Sequence, residues 1–285
     1  MNTPKVTVIM PAYNYAEYLG ESIQSVLDQT FADFELIVVD DGSTDNTPGI
    51  VASFKDPRVR YVRREHRGVA AAVNTGFYIA RGEYIMGIGA DDILFPRNIE
   101  LKINLLQSRP DVAVVCSDAY LFDSRTGENT GTFWRDNRAH YWVDPFEAMR
   151  HPIKEVIVRG CFIAPQTYLI RREVFDKIDY LDESLPSCED WDLLFRICKH
   201  FTIEIIDQPL SRLRRHEKNL SKDNEKMYTG LVLVLNKAAR EYSLSHDETK
   251  LVRKRLFREH FSYGLKAVAG GRAVAGRRAL TTAIG

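Results

Sequence analysis

The chain has 285 residues, of which 45% are hydrophobic and 27% are charged. This composition is typical of a globular, enzyme-sized protein, and it excludes a disordered chain, a collagen-like repeat and a disulfide scaffold. The 39 basic residues equal the 39 acidic residues in number, which argues against a generally cationic nucleic-acid-binding protein. We therefore expect one large α/β domain, with or without an appendage.

The charges are distributed unevenly along the chain. Residues 1–210 contain 22 Lys and Arg against 32 Asp and Glu, a balance of −10. Residues 211–285 contain 17 Lys and Arg against 7 Asp and Glu, a balance of +10. An acidic body thus carries a basic C-terminal region.

Neither the cysteines nor the N-terminus points to export. The four cysteines form no C-x-x-C pair, which argues against a zinc site or a redox motif and favours reduced thiols. The apolar run at residues 6–10 is too short for a signal peptide, and no run in the sequence reaches transmembrane length. We therefore expect a cytoplasmic protein.

The first half of the chain alternates strand-like and helix-like segments. Short apolar runs rich in β-branched residues predict strands at 6–10, 34–39, 59–62, 83–88 and 112–116. Apolar residues spaced three and four apart predict helices at 18–27, 68–80 and 96–107. This alternation is the signature of βαβ units, so we expect a mainly parallel sheet covered by helices.

The second half is less regular. The pattern lapses at 123–159, a polar and aromatic stretch that is too long for a simple connection. Two strands and an intervening helix follow, predicted at 161–170, 202–206 and about 190–200. The segment 224–261 is predicted to be helical, with a packing face formed by Leu231, Val234, Leu235 and Ala238.

Polar clusters follow three of the predicted strands, at the point where each strand ends. The clusters are Pro11-Ala12-Tyr13-Asn14, Asp40-Asp41 and Asp91-Asp92. Ligands bind beyond the carboxyl ends of the strands in an open parallel sheet, so we expect the three clusters to meet at one edge. Each aspartate taken alone is also explained as the cap of a turn or a helix.

The pair Asp91-Asp92 is suited to a hard divalent cation such as Mg²⁺ or Mn²⁺. Two carboxylates leave coordination positions open, and a diphosphate can fill them. The sequence has no Walker loop, and Gly87-x-Gly89 lacks the third glycine of a dinucleotide fingerprint. A metal-bound diphosphate therefore fits the pattern better than phosphates cradled by backbone alone.

Six motifs in order resemble those of the inverting family 2 glycosyltransferases, which have the GT-A fold. The motifs are VIMPAYN at 8–14, DDGSTD at 40–45, ARGEYI at 80–85, ADD at 90–92, EDWD at 189–192 and LRRH at 213–216. The resemblance covers about residues 5–221. It implies an α/β fold of GT-A type, with a mainly parallel nucleotide-binding sheet flanked by helices and a helical C-terminal extension.

The same resemblance implies an organisation and an activity. Residues 1–221 would form the catalytic domain, with a nucleotide-sugar half at about 1–120 and an acceptor half at about 121–221, followed by a basic helical extension at 222–285. The implied activity is metal-dependent, inverting transfer of a sugar from a nucleoside diphosphate donor, with a UDP-sugar favoured. The acceptor would be a hydroxyl of a glycan or a lipid-linked molecule, and the cofactor Mn²⁺ or Mg²⁺.

The donor site implied by the resemblance lies at the first two strand ends. Tyr13 would lie against the nucleotide base, and Asp41 would accept a hydrogen bond from the base N3–H, which uracil and thymine both present. Pro11 would shape the same pocket, and Asp40 would support the turn or contact the nucleoside. The alternative for Tyr13 is an aromatic residue packed at the end of a strand.

The implied metal site involves the third strand end and the LRRH motif. Asp92 would ligate the metal, while Asp91 would contact the ribose or assist the metal. His216 would ligate the metal or contact a phosphate, although a single histidine is more often structural. These roles depend on the resemblance and not on spacing alone.

One position departs from the family pattern. Val73 stands where many relatives carry a basic residue, directly before Asn74. The contacts to the diphosphate are therefore expected to differ. Arg67 or the pair Arg63-Arg64 would compensate; the alternative is that these arginines only form a solvated edge.

Asp190 matches the catalytic base of the family. Inverting transfer needs one carboxylate that takes the proton of the acceptor hydroxyl as its oxygen attacks the anomeric carbon. Asp190 is equally explained as the N-cap of the helix that follows, and both roles are compatible. The sequence leaves two roles open for Glu189 and Asp192, which are to tune the pKa of Asp190 or to bind acceptor hydroxyls. Trp191 is expected either to stack on a sugar face or to pack against its neighbours.

The remaining expectations concern partners. The stretch 123–159 matches no motif, and in this family that region tends to shape the acceptor site. The basic C-terminal region suits peripheral contact with anionic lipid at the inner face of a membrane, or else is a helical bundle packed on the catalytic domain. For 264–285 a membrane contact and an oligomer contact both stay open, and no nucleic-acid partner is expected.

A second class of function is a nucleotide-sugar binding protein that performs no transfer. Such a protein would keep the donor pocket and serve as a sensor or as the partner of an active enzyme. The presence of Asp190 favours the enzyme, with a role in polysaccharide biosynthesis for the cell envelope.

Overall fold

The computed structural model describes residues 3–136, 149, 152–161 and 163–284. The strands in this part of the chain are Val6–Ala12 (β1), Phe34–Asp40 (β2), Val59–Arg63 (β3), Tyr84–Gly87 (β4), Ile93–Leu94 (β5), Val114–Asp123 (β6), Asn129–Thr132 (β7), Leu169–Arg171 (β8) and Ile203–Arg215 (β9). The helices are Ala16–Leu27 (α1), Thr47–Ser53 (α2), Val69–Ile79 (α3), Asn98–Ser108 (α4), Phe133–Asp136 (α5), Pro152–Arg159 (α6), Glu189–His200 (α7), Asn224–Glu241 (α8), His246–Ala269 (α9) and Ala273–Ile284 (α10).

Four parallel strands, in the order β3-β2-β1-β4, form the first part of the sheet. Val6 of β1 is paired with both Phe34 of β2 and Tyr84 of β4, so these three strands start at the same level. At the other end Ala12 of β1 is paired with Asp40 of β2. The carboxyl ends of these strands therefore meet at one edge of the sheet, as the sequence predicted.

The sheet continues in the order β4-β8-β6-β9-β5, where parallel and antiparallel pairs mix. β8 is antiparallel to both of its neighbours, β6 and β9 are parallel, and β5 is antiparallel to β9. Ile93 of β5 is paired with Arg212 of β9. This pairing brings the end of β9 next to Asp91 and Asp92, which directly precede β5.

Two strands of the second half differ from their predicted extents. The strand predicted at 161–170 is wrong for most of its length, because Leu169–Arg171 is the only strand among the described residues of that segment. Pro165 opens a 3₁₀ helix before it, and a proline has no N–H to donate to a neighbouring strand. β9 in contrast continues nine residues beyond its predicted end at 206. The prediction stopped at 206 because the later part of the strand is polar and lacks an apolar run.

Apolar layers cover both faces of the sheet. Val6, Val8 and Met10 of β1 pack in a cluster with α1 and α4, whereas Ile9 packs in a second cluster with Phe77 of α3. Side chains alternate between the two faces along a strand. Burial on both faces therefore explains the unbroken apolar runs from which the strands were predicted.

The stretch 123–159 is only partly described. Residues 137–148, 150 and 151, which include Tyr141 and Trp142, lie outside the described residues, whereas Trp134 of α5 packs against the cluster that contains α7. The rest of the stretch contains β7, α5 and α6. Val156 and Ile157 of α6 are buried in the same cluster as α7, so α6 packs against α7.

The C-terminal region is helical, as predicted. Three of the four residues in the predicted packing face of α8 are buried in the cluster of α7, and the fourth packs against that cluster. α9 and α10 form a hairpin with a close backbone approach, since a Cβ on Gly264 would lie 3.1 Å from the carbonyl oxygen of Gly276. Every helix in the described part of the chain is too short or too polar to cross a bilayer.

Candidate active site

The site is built on the edge where β1 and β2 end. Pro11 is paired with Val39 inside the sheet, and the N–H of Asp41 donates to the carbonyl of Ala12 at 2.9 Å. These contacts fix the two strand ends to each other. Tyr13 follows directly and is 40% exposed, so it lies outside the buried core at the end of β1.

Asp40 stabilises the turn that follows β2. Its fully buried carboxylate accepts from the N–H of Ser43 at 2.7 Å and from the hydroxyl of Tyr61 at 2.5 Å. Burial, together with the adjacent Asp40 carboxylate, raises the pKa of Tyr61 to about 12. Two roles were expected for Asp40, and these contacts agree with the first, which is to support the turn.

Asp41 holds the loop between β3 and α3. Its carboxylate accepts from the backbone N–H of Arg67 at 3.1 Å and of Gly68 at 2.8 Å. The Nε of Arg64 lies 3.5 Å from Oδ1, and the Nδ1 of His66 lies 2.8 Å from Oδ2. One buried carboxylate thus organises the whole loop 64–68 at the edge of the sheet.

His66 is a site residue that the sequence analysis missed. Its imidazole stacks on the ring of Tyr13, with ring centroids 4.0 Å apart and an interplanar angle of 18°. Its Nδ1 faces the carbonyl and the carboxylate of Asp41, two acceptors, so Nδ1 carries the proton. The available signal was position, because His66 follows β3, whose carboxyl end lies at the same edge.

The three arginines considered for the diphosphate have different surroundings. Arg63 donates to a backbone carbonyl at 2.9 Å, and Arg67 forms an ion pair with Glu183 at 2.7 Å. Arg64 is mostly buried, and its Nη1 has no hydrogen-bond partner among the described residues. Arg64 therefore has a donor to spare beside Asp41.

The third strand end is joined to the end of β9. The backbone N–H of Arg214 donates to Oδ1 of Asp92 at 3.0 Å. The Nε2 of His216 lies 2.8 Å from Oδ2 of Asp91. The N–H of Lys218 donates to Nδ1 of His216 at 3.1 Å, so the proton of the imidazole is on Nε2. In this arrangement His216 donates to Asp91 and orients it.

The carboxylates of Asp91 and Asp92 converge beside Gly89. A Cβ on Gly89 would lie 2.7 Å from Oδ1 of Asp91 and 2.7 Å from Oδ2 of Asp92. Burial, together with the charge of Asp91, raises the pKa of Asp92 well above its usual range. Two converging carboxylates, one of them buried, are a donor set that suits a hard divalent cation.

The described residues do not form a complete metal site by themselves. They contain no group of three or more His, Cys, Asp or Glu side chains arranged to hold an ion. A cation held by Asp91 and Asp92 would therefore need further ligands from a diphosphate or from water.

Asp190 lies in the first turn of α7, which begins at Glu189. The N-cap position is occupied by Cys188, so the interpretation of Asp190 as the N-cap is wrong. Its Oδ1 accepts from the N–H of Trp191 at 2.8 Å. Burial raises the pKa of Asp190 above its ordinary value, and burial with the charge of Asp190 raises the pKa of Glu189. A carboxylate in such surroundings is a stronger base than one in water.

The other two residues of the EDWD motif belong to the core. Trp191 is 2% exposed, and its Nε1–H donates to a backbone carbonyl of α6 at 3.1 Å, so it packs and does not stack on a sugar. Asp192 is fully buried and accepts hydrogen bonds from three side chains, those of Arg196, Lys237 and Tyr242. Asp192 therefore joins α7 to α8 and does not bind an acceptor hydroxyl.

Relatives of the chain are glycosyltransferases. The sequence profile of the family described as Glycosyl transferase family 2 matches residues 7–179. An uncharacterized glycosyltransferase of Rickettsia typhi is 30% identical over 242 residues, which cover 82% of this chain and 74% of that protein. Glycosyltransferase GlyG of Streptococcus pneumoniae is 34% identical over 189 residues, 61% of this chain and 59% of GlyG. In a relative from Rickettsia felis the match spans only 35% of the protein.

Solved structures agree with the fold. Residues 1–349 of S. aureus TarS in complex with UDP-GlcNAc superpose with a TM-score of 0.72 at 18% identity, covering 98% of this chain and 79% of that TarS fragment. The mannosyltransferase PcManGT from Pyrobaculum calidifontis in complex with GDP-Man and Mn²⁺ superposes with a TM-score of 0.64 at 18% identity, covering 100% of this chain and 76% of PcManGT. The architecture is therefore the GT-A fold. The profile match and the Rickettsia typhi relative show that the chain belongs to glycosyl transferase family 2.

Proposed function

We propose that this chain is a metal-dependent, inverting glycosyltransferase. It would transfer a sugar from a nucleoside diphosphate donor, with a UDP-sugar favoured, to a hydroxyl of a glycan or lipid-linked acceptor in cell-envelope polysaccharide biosynthesis. The observation that carries the proposal is that Tyr13, Asp41 and the Asp91-Asp92 pair stand at one edge of the sheet in a family 2 chain. The UDP-GlcNAc bound by TarS and the GDP-Man and Mn²⁺ bound by PcManGT support it.

The donor base would bind at the ends of β1 and β2. Tyr13 offers an exposed aromatic face, and Asp41 offers carboxylate oxygens at the adjacent strand end. A base with a ring N–H, such as uracil, would stack on Tyr13 and donate to Asp41. Pro11 and Asp40 would keep these strand ends in place. The Nη1 group of Arg64, which has no partner among the described residues, would donate to an oxygen of the nucleotide sugar. It would replace the basic residue that α3 lacks.

The diphosphate would bind with Mn²⁺ or Mg²⁺ at the convergence of Asp91 and Asp92. When bound, the cation supplies positive charge that stabilises the departing diphosphate. Asp92 is held by the backbone of β9 and would act as the metal anchor. His216 would orient Asp91 through their hydrogen bond, and it would ligate the metal only after releasing that carboxylate.

Asp190 would act as the general base on the acceptor side. The acceptor oxygen would form a bond to the anomeric carbon on the face opposite the leaving group, and the bond from that carbon to the diphosphate oxygen would break. The hydroxyl proton would pass to the Asp190 carboxylate, and the electron pair would leave with the nucleoside diphosphate. The anomeric configuration is inverted in this single displacement. Burial of Asp190 raises its pKa and so strengthens it as a base.

The two parts of the chain would have separate roles. Residues 1–221 would be the catalytic domain, with the donor half at about 1–120 and the acceptor half at about 121–221. Residues 222–285 would be an extension that supports the acceptor half through α8, which shares a hydrophobic cluster with α7. This organisation accounts for the burial of Asp192 between the two helices.

The outer face of α9 would contact an anionic membrane surface. Four apolar side chains are exposed along one stripe of this helix, those of Phe257, Phe261, Leu265 and Val268. Residues 246–285 contain nine Lys and Arg against three Asp and Glu. An exposed apolar stripe on a basic helix is complementary to anionic lipid. We thus propose peripheral attachment at the inner face of the membrane.

The experiment that tests the function is donor turnover followed by proton NMR. The chain would be incubated with Mn²⁺ and single donors from a panel of UDP-sugars and GDP-mannose, with water as the acceptor. We expect slow release of the nucleoside diphosphate from at least one donor, with a sugar of inverted configuration formed first, and no release by Asp190→Asn. Donor binding without turnover in either protein would favour the alternative function, a non-catalytic nucleotide-sugar binding protein.

A further inference from the structure

The imidazole of His66 makes the two contacts that the proposed nucleobase would make. Its ring lies flat on the ring of Tyr13, with centroids 4.0 Å apart. Its Nδ1 lies 2.8 Å from Oδ2 of Asp41. A planar heterocycle stacked on the tyrosine, with a ring N–H directed at the carboxylate, is also the binding mode proposed for uracil.

The backbone around His66 is held independently of its side chain. The N–H groups of Arg67 and Gly68 donate to the Asp41 carboxylate, and the N–H of Arg64 donates to the carbonyl of Asp40 at 2.9 Å. The His66 side chain itself is 52% exposed. The ring is therefore free to rotate into solvent while the loop keeps its conformation.

We propose that His66 is a displaceable occupant of the base subsite. In the free protein it covers Tyr13 and occupies Oδ2 of Asp41, and it must leave that oxygen before a base binds. This inference rests on the proposed function, because the displacing ligand is a nucleoside diphosphate. The occupied form lowers the apparent donor affinity, since only the fraction of molecules with His66 displaced is competent to bind.

The contacts of His66 also define which bases the subsite accepts. Asp41 faces the imidazole with acceptor oxygens, so the ligand must present a ring N–H there. Uracil and thymine have such a group at N3, and guanine has one at N1. Cytosine and adenine have an acceptor nitrogen at the corresponding position and would leave Asp41 unpaired. We therefore expect UDP, TDP or GDP to displace His66, and CDP and ADP to fail.

The test compares His66→Ala with Glu65→Ala by calorimetric titration. Glu65 lies in the same loop and is exposed, so its removal controls for a general effect of shortening a side chain there. With Mn²⁺ present, we expect His66→Ala to bind UDP about tenfold more tightly than the unaltered chain, because the stacking and the hydrogen bond no longer have to be broken. Glu65→Ala should bind UDP like the unaltered chain, and CDP should bind weakly to all three proteins.

A second measurement follows the ring directly. The imidazole resonance of His66, assigned by its loss in His66→Ala, should shift on addition of UDP to the unaltered chain and keep its position on addition of CDP. His66→Asn, which keeps a polar side chain without the aromatic stack, should bind UDP with an intermediate affinity. This variant keeps the test available if the alanine variant folds poorly.

Each outcome decides for or against the inference. Weaker UDP binding by His66→Ala would overturn it, because His66 would then be a wall of the occupied site. Equal affinity in the unaltered chain and His66→Ala would overturn it as well, since no competition would exist. In both cases the unaltered chain still binds UDP, and the proposed function stands. Failure of all the proteins to bind any nucleoside diphosphate would overturn the proposed function together with the inference.

Discussion

The ammonium group of Lys237 lies 3.2 Å from the carboxylate of Asp192, two residues after Asp190 in α7. The same ammonium donates to Asp182 at 2.6 Å. Lys237 belongs to α8, so the C-terminal extension forms an ion pair with the helix whose first turn carries the proposed base. α8 therefore contributes to the position of α7.

The first prediction concerns this ion pair. Lys237→Met should lower the free energy of unfolding by about 2 kcal/mol, because Asp192 is fully buried and loses one of its charged partners. Arg196 and Tyr242 still bind Asp192, which limits the loss. Urea denaturation measures the effect, with Lys250→Met on the exposed face of α9 as the control. A loss for Lys237→Met no larger than the control would show that the pair does not stabilise the fold.

A second prediction concerns the proposed base. Asp190→Asn should reduce sugar transfer by a factor of about 10³, because no group then takes the acceptor proton. Its UDP affinity should stay unchanged. The free energy of unfolding at neutral pH should not fall, since burial raises the pKa of Asp190 and its ionised form destabilises the fold there. Steady-state kinetics, calorimetry and urea denaturation measure the three quantities. Transfer at the unaltered rate would remove Asp190 from the mechanism.

Lys102 provides a prediction on pH. Its side chain is fully buried and donates to Asn98 at 2.8 Å, and burial lowers its pKa to about 7. Between about pH 7 and the ordinary lysine pKa of about 10.4, the unfolded chain binds a proton that the folded chain does not. The free energy of unfolding contributed by this group therefore rises with pH across that window.

Lys102→Met removes this dependence. The variant should be more stable than the unaltered chain at pH 7, by on the order of 2 kcal/mol, because the unfolded state no longer gains a proton. The difference should shrink as the pH is raised towards 10. Urea denaturation at pH 7, 8 and 9 measures both slopes. Parallel pH profiles for the two proteins would mean that Lys102 stays protonated in the fold.

The exposed stripe of α9 leads to a prediction on membrane attachment. The double variant Phe257→Ser and Phe261→Ser should lose at least about tenfold in affinity for vesicles of phosphatidylcholine and phosphatidylglycerol, because two exposed aromatic rings that would insert into the lipid are removed. Tyr78→Ser, which removes an exposed aromatic residue of α3, is the matched control. Vesicle flotation measures the binding. Equal binding of the double variant and the control would exclude this stripe as the membrane contact. Equal binding to vesicles with and without phosphatidylglycerol would exclude a contribution from the attraction between the basic residues and anionic lipid.

The parallel half of the fold was predictable because its strands are buried on both faces. The apolar runs around Ile9 and Ile37 need no partner information to be read as strands, and α1 and α3 follow from their helical spacing. β9 and the segment before β8 were not predictable to their full extent. The later part of β9 is extended because β5 and β6 pair with it, and such long-range pairing leaves no local pattern.

The candidate site was predictable where a residue lies at a strand end and not where a loop returns to it. Tyr13 and Asp41 follow β1 and β2 directly, and the register of those strands brings them to one edge. The stack of His66 on Tyr13 depends on the conformation of the loop 64–68, which Asp41 sets through backbone contacts. The packing of Trp191 likewise depends on α6, a helix that the sequence did not predict.

The most direct test of the central claim is a calorimetric titration with UDP, TDP and GDP, with and without Mn²⁺. The unaltered chain would be compared with Asp92→Asn, which keeps the shape of the buried side chain and removes its charge. We expect UDP to bind in the presence of Mn²⁺, and the affinity to fall at least about tenfold without the metal or in the variant. Absence of binding by all three nucleotides under both conditions would contradict the assignment of this edge of the sheet as a nucleotide-sugar site.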